Sequence, residues 1–265
     1  VIRKAICAGT WYPDNAKGIN SFLNLSAKKE KVIAGICPHA GWLYSGKIAG
    51  EVFSKIEPAS VYVLIGPNHT GVGSAVSVFN KGSWETPIGE LEVEETLAEA
   101  IIDRSKHAEA DYTAHSREHS IEVQLPFIKT ISPEAKIVPI ALSDYSVNTC
   151  RSLGESIAEA ILELKLADKT VLIASTDMSH YISAQEAKDL DSLAIEKILS
   201  LEPEGLLKIV KENNISMCGS GPTAAVIWAA KKLGGKKASL IKYSNSGYVT
   251  GDYTQVVGYA GITIK

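Results

Sequence analysis

The stretch KVIAGICPHAGWLYSG, Lys31–Gly46, decides the fold. An apolar, β-branched run meets a proline stop, and a histidine follows beside glycine, tryptophan and tyrosine. The same grammar returns in VYVLIGPNHTG, Val61–Gly71, where a Gly-Pro break precedes His69. It returns again in TVLIASTDMSH, Thr170–His180, which ends in Asp177 and His180. Short runs of Val, Ile, Leu and Ala bounded by turn residues read as buried strands of an α/β sheet. Ligands collect at the carboxyl ends of such strands, so three strand ends that deliver imidazoles are expected to converge. The central expectation is a pocket of His39, His69, His180 and Cys218, the last sitting just before a helix with Pro222 near its start.

Working outward, AGTWYP (Ala8–Pro13) reads as an irregular arm, followed by a helix over about Asn15 to Ser26. The apolar positions Ile48, Ala49, Val52, Phe53 and Ile56 predict a helix over Ser45 to Ile56, which makes a βα unit with the strand Lys31 to Cys37. WETPIGELEV turns at Pro87 to Gly89, and a helix runs from Glu94 to about Ser105. In DYTAHSREHSIEVQLPFI, His115, Glu118, His119 and Glu122 precede or occupy one helix, with Ile121, Leu125 and Ile128 on its apolar face. Strands at Lys136 to Leu142 and Thr170 to Ser175 flank a helix from about Val147 to Leu164. Helices at Ala184 to Leu199, Glu202 to Glu212 and around Pro222 then lead to two final strands, ASLIKYSNS and TQVVGYAGITIK. The fold class expected is α/β, one domain over residues 1–265, with a central mixed sheet flanked by helices.

Composition bounds the function. The 265 residues are 45% hydrophobic, enough for a substantial core, and 27 basic and 30 acidic residues are interspersed to a net charge of -3. That balance gives no reason to expect nucleic acid or an anionic membrane as partner. No apolar segment approaches the roughly 20 residues that span a bilayer, and the opening VIRKAICAGTWYP lacks the apolar core of a secretory signal. A soluble, cytoplasmic protein is the expectation. Cys7, Cys37, Cys150 and Cys218 match neither a CxxC site nor a disulfide framework, so free thiols are expected.

Two imidazoles from different strand ends plus a third donor make an open site for a divalent transition metal, iron, copper or zinc. His39, His69 and Cys218 would be the ligands, leaving positions for water or substrate. His180, held by Asp177, would then act as general acid or base, its unperturbed pKa of ~6.5 lying near operating pH. Cys218 reads equally as a metal thiolate, as a nucleophile with His180 as its base, or as a small buried apolar residue. His119 and Glu122 are candidates to hold the metal-bound histidines, or members of an ion-paired surface helix. Trp11, Trp42 and Tyr44 are candidates for an aromatic rim over a small-molecule or peptide ligand, or for simple packing. HExxH, Walker, GxGxxG and GxSxG motifs are absent.

Six segments in order, AGTWYP, PHAGWLYSG, LIGPNHTG, EHSIEVQLPF, STDMSHY and SMCGSGP, resemble the Memo family over nearly the whole chain. The resemblance implies a fold similar to class III extradiol ring-cleavage dioxygenases, non-haem iron enzymes that use two histidines, a glutamate and a catalytic histidine. By motif, His39 and His69 match the two histidine ligands, His180 the further site histidine and Trp11 an aromatic at the pocket mouth. Cys218 matches the cysteine that Memo proteins place there. A thiolate in place of a carboxylate changes the charge and softness of the site. The resemblance therefore implies a metal-dependent oxidoreductase of unknown substrate, or alternatively a peptide- or anion-binding module on a degenerate scaffold of that kind.

Overall fold

The computed structural model describes residues 1–265. In chain order the strands are β1 (Ile2–Arg3), β2 (Ala34–Cys37), β3 (Val61–Pro67), β4 (Val76–Val78), β5 (Ser83–Thr86), β6 (Gly89–Glu92), β7 (Ala108–Ala110), β8 (Lys136–Leu142), β9 (Thr170–Ser175), β10 (His180–Ile182), β11 (Ala238–Asn245) and β12 (Val256–Ile264). The helices are α1 (Ala16–Asn20), α2 (Trp42–Lys55), α3 (Glu95–Arg104), α4 (Leu125–Ile131), α5 (Val147–Glu163), α6 (Ala184–Leu199), α7 (Pro203–Glu212), α8 (Ser220–Lys232) and α9 (Gly247–Thr250).

The most apolar runs lie at the centre. β2, β9, β3 and β8 run parallel side by side, with Cys37 opposite Ser175 and Ile65 between Ala174 and Ile140. β12 joins antiparallel beside β2 and carries β11 outside it, β10 pairs with the start of β12, and β4 and β7 continue beyond β8. β1, β5 and β6 form a separate three-stranded sheet. α8 covers β9 and β3, with α5 and α7 packed on it, while α2 lies on β2, β11 and β12 beside α4. The chain is thus a mixed α/β domain whose central strands are buried on both faces, each large apolar side chain there contributing about 1.5–3 kcal/mol.

Three segments differ from the sequence reading. α1 ends at Asn20, not Ser26, because Phe22 leaves the helix to pack edge-on against Trp42 at 5.1 Å. α2 begins at Trp42, one turn before Ser45, with Gly41 as its N-cap. No helix holds His115 to Ile121: turns carry that stretch, a 3-10 turn spans Glu122–Gln124, and α4 starts at Leu125. No helix is long and apolar enough to cross a membrane, and all four cysteines are free thiols.

Candidate metal centre

β9 lies between β2 and β3, so the loops after β2 and β3 start two strand spacings apart, roughly 9–10 Å. Their imidazoles lean over the end of β9 and meet, the His39 and His69 rings lying 5.2 Å apart. Pro38 stops β2, and the next two N–H groups, of His39 and Ala40, donate to Asp177 Oδ1 at 2.8 and 3.2 Å. Ser175, the last residue of β9, settles the His39 tautomer. Its hydroxyl donates to Ser120 O at 2.6 Å and accepts from Gln124 Nε2 at 3.0 Å. Its one proton is then committed, so at 3.0 Å His39 Nδ1 must be the donor. Nε2 is left with a bare lone pair. Burial, and then the neighbouring His69, hold the His39 pKa down to about 3, so the ring is neutral.

His69 is held by a carboxylate. Glu118 accepts the His69 N–H through Oε2 at 2.6 Å, and its Oε1 lies 3.0 Å from His69 Nδ1. Burial pushes the Glu118 pKa up, but the His69 ring and the Ser120 N–H outweigh it and bring the net value down to about 2. The ionised carboxylate fixes the proton on Nδ1 and leaves Nε2 free, as carboxylates behind metal-bound histidines do. Gly66 makes this contact attainable, since a Cβ there would stand 2.5 Å from Ser120 Oγ and 2.9 Å from Ile121 Cγ1. His119 stacks on His69 with ring centroids 4.7 Å apart, and Trp11 lies over His119 at 4.1 Å. Burial, then the neighbouring His39 ring, lower the His119 pKa to about 4.

Cys218 arrives from the opposite direction, ahead of α8. Tyr145 Oη donates to its carbonyl at 2.6 Å, and the Gly219 N–H donates to Thr176 Oγ1 at 2.9 Å. A Cβ on Gly219 would fall 2.4 Å from Thr176 Cβ and 2.5 Å from Ser175 O, so only glycine lets this loop lie on the end of β9. Cys218 Sγ accepts the Asp177 N–H at 3.3 Å and sits 3.2 Å from His39 Nε2. Burial raises its pKa, so without a metal it is a thiol that donates to the His39 lone pair.

His39, His69 and Cys218 therefore bring one donor atom each to within 4.8 Å of one another. A tetrahedral ion with bonds of about 2.0–2.1 Å to nitrogen and 2.3 Å to sulfur separates such donors by roughly 3.3–3.6 Å. The observed 3.2 Å between Nε2 and Sγ falls a few tenths of an ångström short of that span, the separation of a hydrogen-bonded pair that an ion would spread slightly. The donor set, two imidazoles and a thiol, fits a borderline or soft divalent ion. A second set, His69, Glu118 and His119, also falls within 4.8 Å.

His39 and His69 line a cavity of about 490 Å³ whose wall includes Trp11, Tyr44, Asp177 and His180. His180 is held by Ser216, not by Asp177: its N–H donates to Ser216 Oγ at 2.7 Å and Nδ1–H to Ser216 O at 2.8 Å. Cys218 is paired with His39 rather than with His180. Trp42 is not at the rim. The early start of α2 turns it inward, where it stacks on Phe127 at 3.9 Å and donates to Val123 O at 3.0 Å. Glu122 does not reach the histidines either. It is buried in an ion pair with Arg3 and accepts the Cys7 N–H at 2.7 Å and Tyr12 Oη–H at 2.8 Å.

Sequence reasoning named Glu118 without assigning it to the site and passed over Ser175 and Arg3. Arg3 donates to the carbonyls of His115 and Glu118 at 3.0 and 2.7 Å and lies over the Trp84 ring at 4.5 Å. It thus pins the turn that carries Glu118 and His119. The only signal was a glutamate between two histidines in HSREH, and nothing local announces the other two.

The family model described as Memo-like protein matches residues 3–263. A MEMO1 family protein of Methanosarcina mazei is 40% identical over 270 residues, covering 100% of this chain and 99% of its own. One from Aquifex aeolicus is 40% identical over 267 residues, 98% of each chain. One from Methanopyrus kandleri is 42% identical over 234 residues, 87% of this chain and 82% of its own. The family model and these relatives cover nearly the whole chain, which accordingly belongs to the Memo-like family.

Proposed function

We propose that the cavity is the site of a non-haem, metal-dependent oxidoreductase acting on a small molecule, with His39, His69 and Cys218 as the metal ligands. The observation that carries this reading is the fixed tautomer of His39, whose Nε2 lone pair faces Cys218 Sγ at 3.2 Å. A bound iron or copper ion would supply one-electron chemistry at the cavity floor. Glu118 and Ser175 each accept the Nδ1–H of one imidazole and so direct its Nε2 to the ligand position. His180, its Nδ1–H committed to Ser216 O, offers Nε2 to accept a proton from a substrate in the cavity. Relatedness to class III extradiol dioxygenases agrees with this reading through the motif likeness.

Two rival readings are less well supported. A thiol enzyme needs a thiolate and a base, yet burial raises the Cys218 pKa, and its imidazole neighbour has its own pKa held near 3. An anion-binding module needs a cationic partner, and the cavity wall holds no lysine or arginine. The deciding experiment is metal analysis of untagged protein purified without chelator, beside His39→Ala and Cys218→Ser. Near-stoichiometric metal that both variants lose is expected; absence of metal even after anaerobic reconstitution with iron, copper and zinc refutes the proposal.

A further inference from the structure

Four residues other than glycine have a positive φ: Lys165, Tyr181, Leu201 and Asn214. Three of them close helices. Lys165, Leu201 and Asn214 directly follow the C-caps of α5, α6 and α7, and each time the next N–H donates at 2.9 Å to a carbonyl five residues back, on Ile161, Lys197 and Val210. A left-handed residue with that return bond is a common way to end a helix. Tyr181, with φ 58°, ends no helix. It lies inside β10, where His180 pairs with Val257 and Ile182 with Val256, so Tyr181 is the extra residue of a β-bulge. Successive strand residues point to opposite faces. The bulge breaks that alternation, and His180 and Tyr181 both line the cavity. Glycine adopts such a φ freely, whereas a Cβ is disfavoured there. The Tyr181 ring returns little within the chain, being 73% exposed and edge-on to its neighbour His180 at 5.8 Å. A disfavoured backbone that carries a large exposed ring to the lip of a cavity points to a use for the ring.

We propose that Tyr181 is a specificity-determining residue of the cavity, a stacking wall, turned to the lip by the bulge, that selects ligands presenting a flat π-system beside His180. Among the aromatic rings of the wall, Trp11 already lies over His119 and Tyr259 is buried, and Tyr181 has the most surface for a ligand to cover. The proposal deepens the oxidoreductase reading and rests on it only for such a ligand's being a substrate; the stacking itself needs no metal.

The probes are benzyl alcohol and cyclohexylmethanol, alike in hydroxyl and close in size, of which only the first is flat. Both are titrated calorimetrically into the full chain, metal-free and metal-loaded. The unaltered protein is expected to bind benzyl alcohol about two- to tenfold more tightly in both forms, the range of an aromatic pair beyond its buried area. Tyr181→Phe should keep that preference, and Tyr181→Gly should reduce it at least about twofold while its urea midpoint stays level or rises. Tyr181→Ala removes the ring but keeps a Cβ in the left-handed region, so it should lose the preference equally and unfold at lower urea than the glycine variant. Stability kept while selectivity is lost marks a residue retained for its ligand. An undiminished preference in Tyr181→Gly, or no binding of either alcohol, overturns the proposal. So does a glycine variant less stable than the unaltered protein, for the ring would then be packing, or an alanine variant as stable as the glycine one. A preference that depends on Tyr181 in a protein that takes up no metal would sink the oxidoreductase reading and leave this one standing.

Discussion

Replacing Ser175 with alanine tests the tautomer argument at its source. The hydroxyl is fully buried and holds three partners: Ser120 O at 2.6 Å, Gln124 Nε2 at 3.0 Å and His39 Nδ1 at 3.0 Å. Gln124 Nε2 keeps Pro38 O at 2.8 Å, so its loss is small. Ser120 O and the His39 N–H are stranded without water, at about 1–3 kcal/mol for a buried unsatisfied group. A total of about 2–4 kcal/mol is expected as a shift in the urea midpoint of metal-free protein. The second effect is on the ligand. With Nδ1 unheld, the imidazole is free to carry its proton on Nε2 and turn a donor toward the metal position, and metal affinity should fall about 10–100-fold in competition with a chromogenic chelator. Gln124→Met provides the control, because it removes a Ser175 partner and spares the His39 bond; stability should drop with metal affinity unchanged. Full metal affinity in a destabilised Ser175→Ala would refute the claim that Ser175 sets the lone pair of His39.

Other outcomes follow from the same geometry. Gly219→Ala forces a Cβ into Thr176 and the Ser175 carbonyl, so it should cost about 1–3 kcal/mol and, by lifting Cys218 off β9, abolish stoichiometric metal uptake in the folded protein. Arg3→Met strands the buried Glu122 carboxylate and should destabilise by about 3–5 kcal/mol in denaturant melts, whereas the double change with Glu122→Gln should recover part of that loss; a purely additive pair would contradict the ion-pair account. Metal-free protein should lose stability in acid. Burial lowers the folded pKa values of His39 and His115 from 6.5 to about 3 and about 4, so their contribution is complete above pH 6.5 and declines as pH falls toward those folded values, while the unfolded chain takes up protons. Glu118, lowered from 4.5 to about 2, adds a further loss below pH 4.5. Urea midpoints that stay flat between pH 7 and 5 would show that these imidazoles are not buried in their neutral form.

The central strands were legible because a strand covered on both faces must be apolar throughout. Val61–Pro67 and Thr170–Ser175 carry no alternation that a helix or an edge strand could imitate. The histidines after them were legible for the same reason, since the sheet's polarity puts whatever follows each run at one end. What failed was local chemistry overridden by side chains. HSREHSIEV has helical spacing, but Glu118 Oε1 takes the Ser120 N–H at 2.9 Å, a competing bond that breaks the turn. Trp42 reads as rim or core alike until the first turn of α2 is placed, and a boundary error of three residues exchanges the two. Ser175 and Arg3 were invisible because the site partners of the one lie 51 to 136 residues away and those of the other 112 to 119.

The contact between His39 and Cys218 joins residues 179 apart in the chain. No hairpin or helix can bring such groups together early, so the donor set closes only after β2, β9 and β3 have aligned, among the last events of folding. Interactions formed after the transition state leave the folding rate alone and slow unfolding. A metal held at this point would therefore act as a latch rather than a nucleus, lengthening the lifetime of the folded chain while leaving the time it takes to fold unaltered.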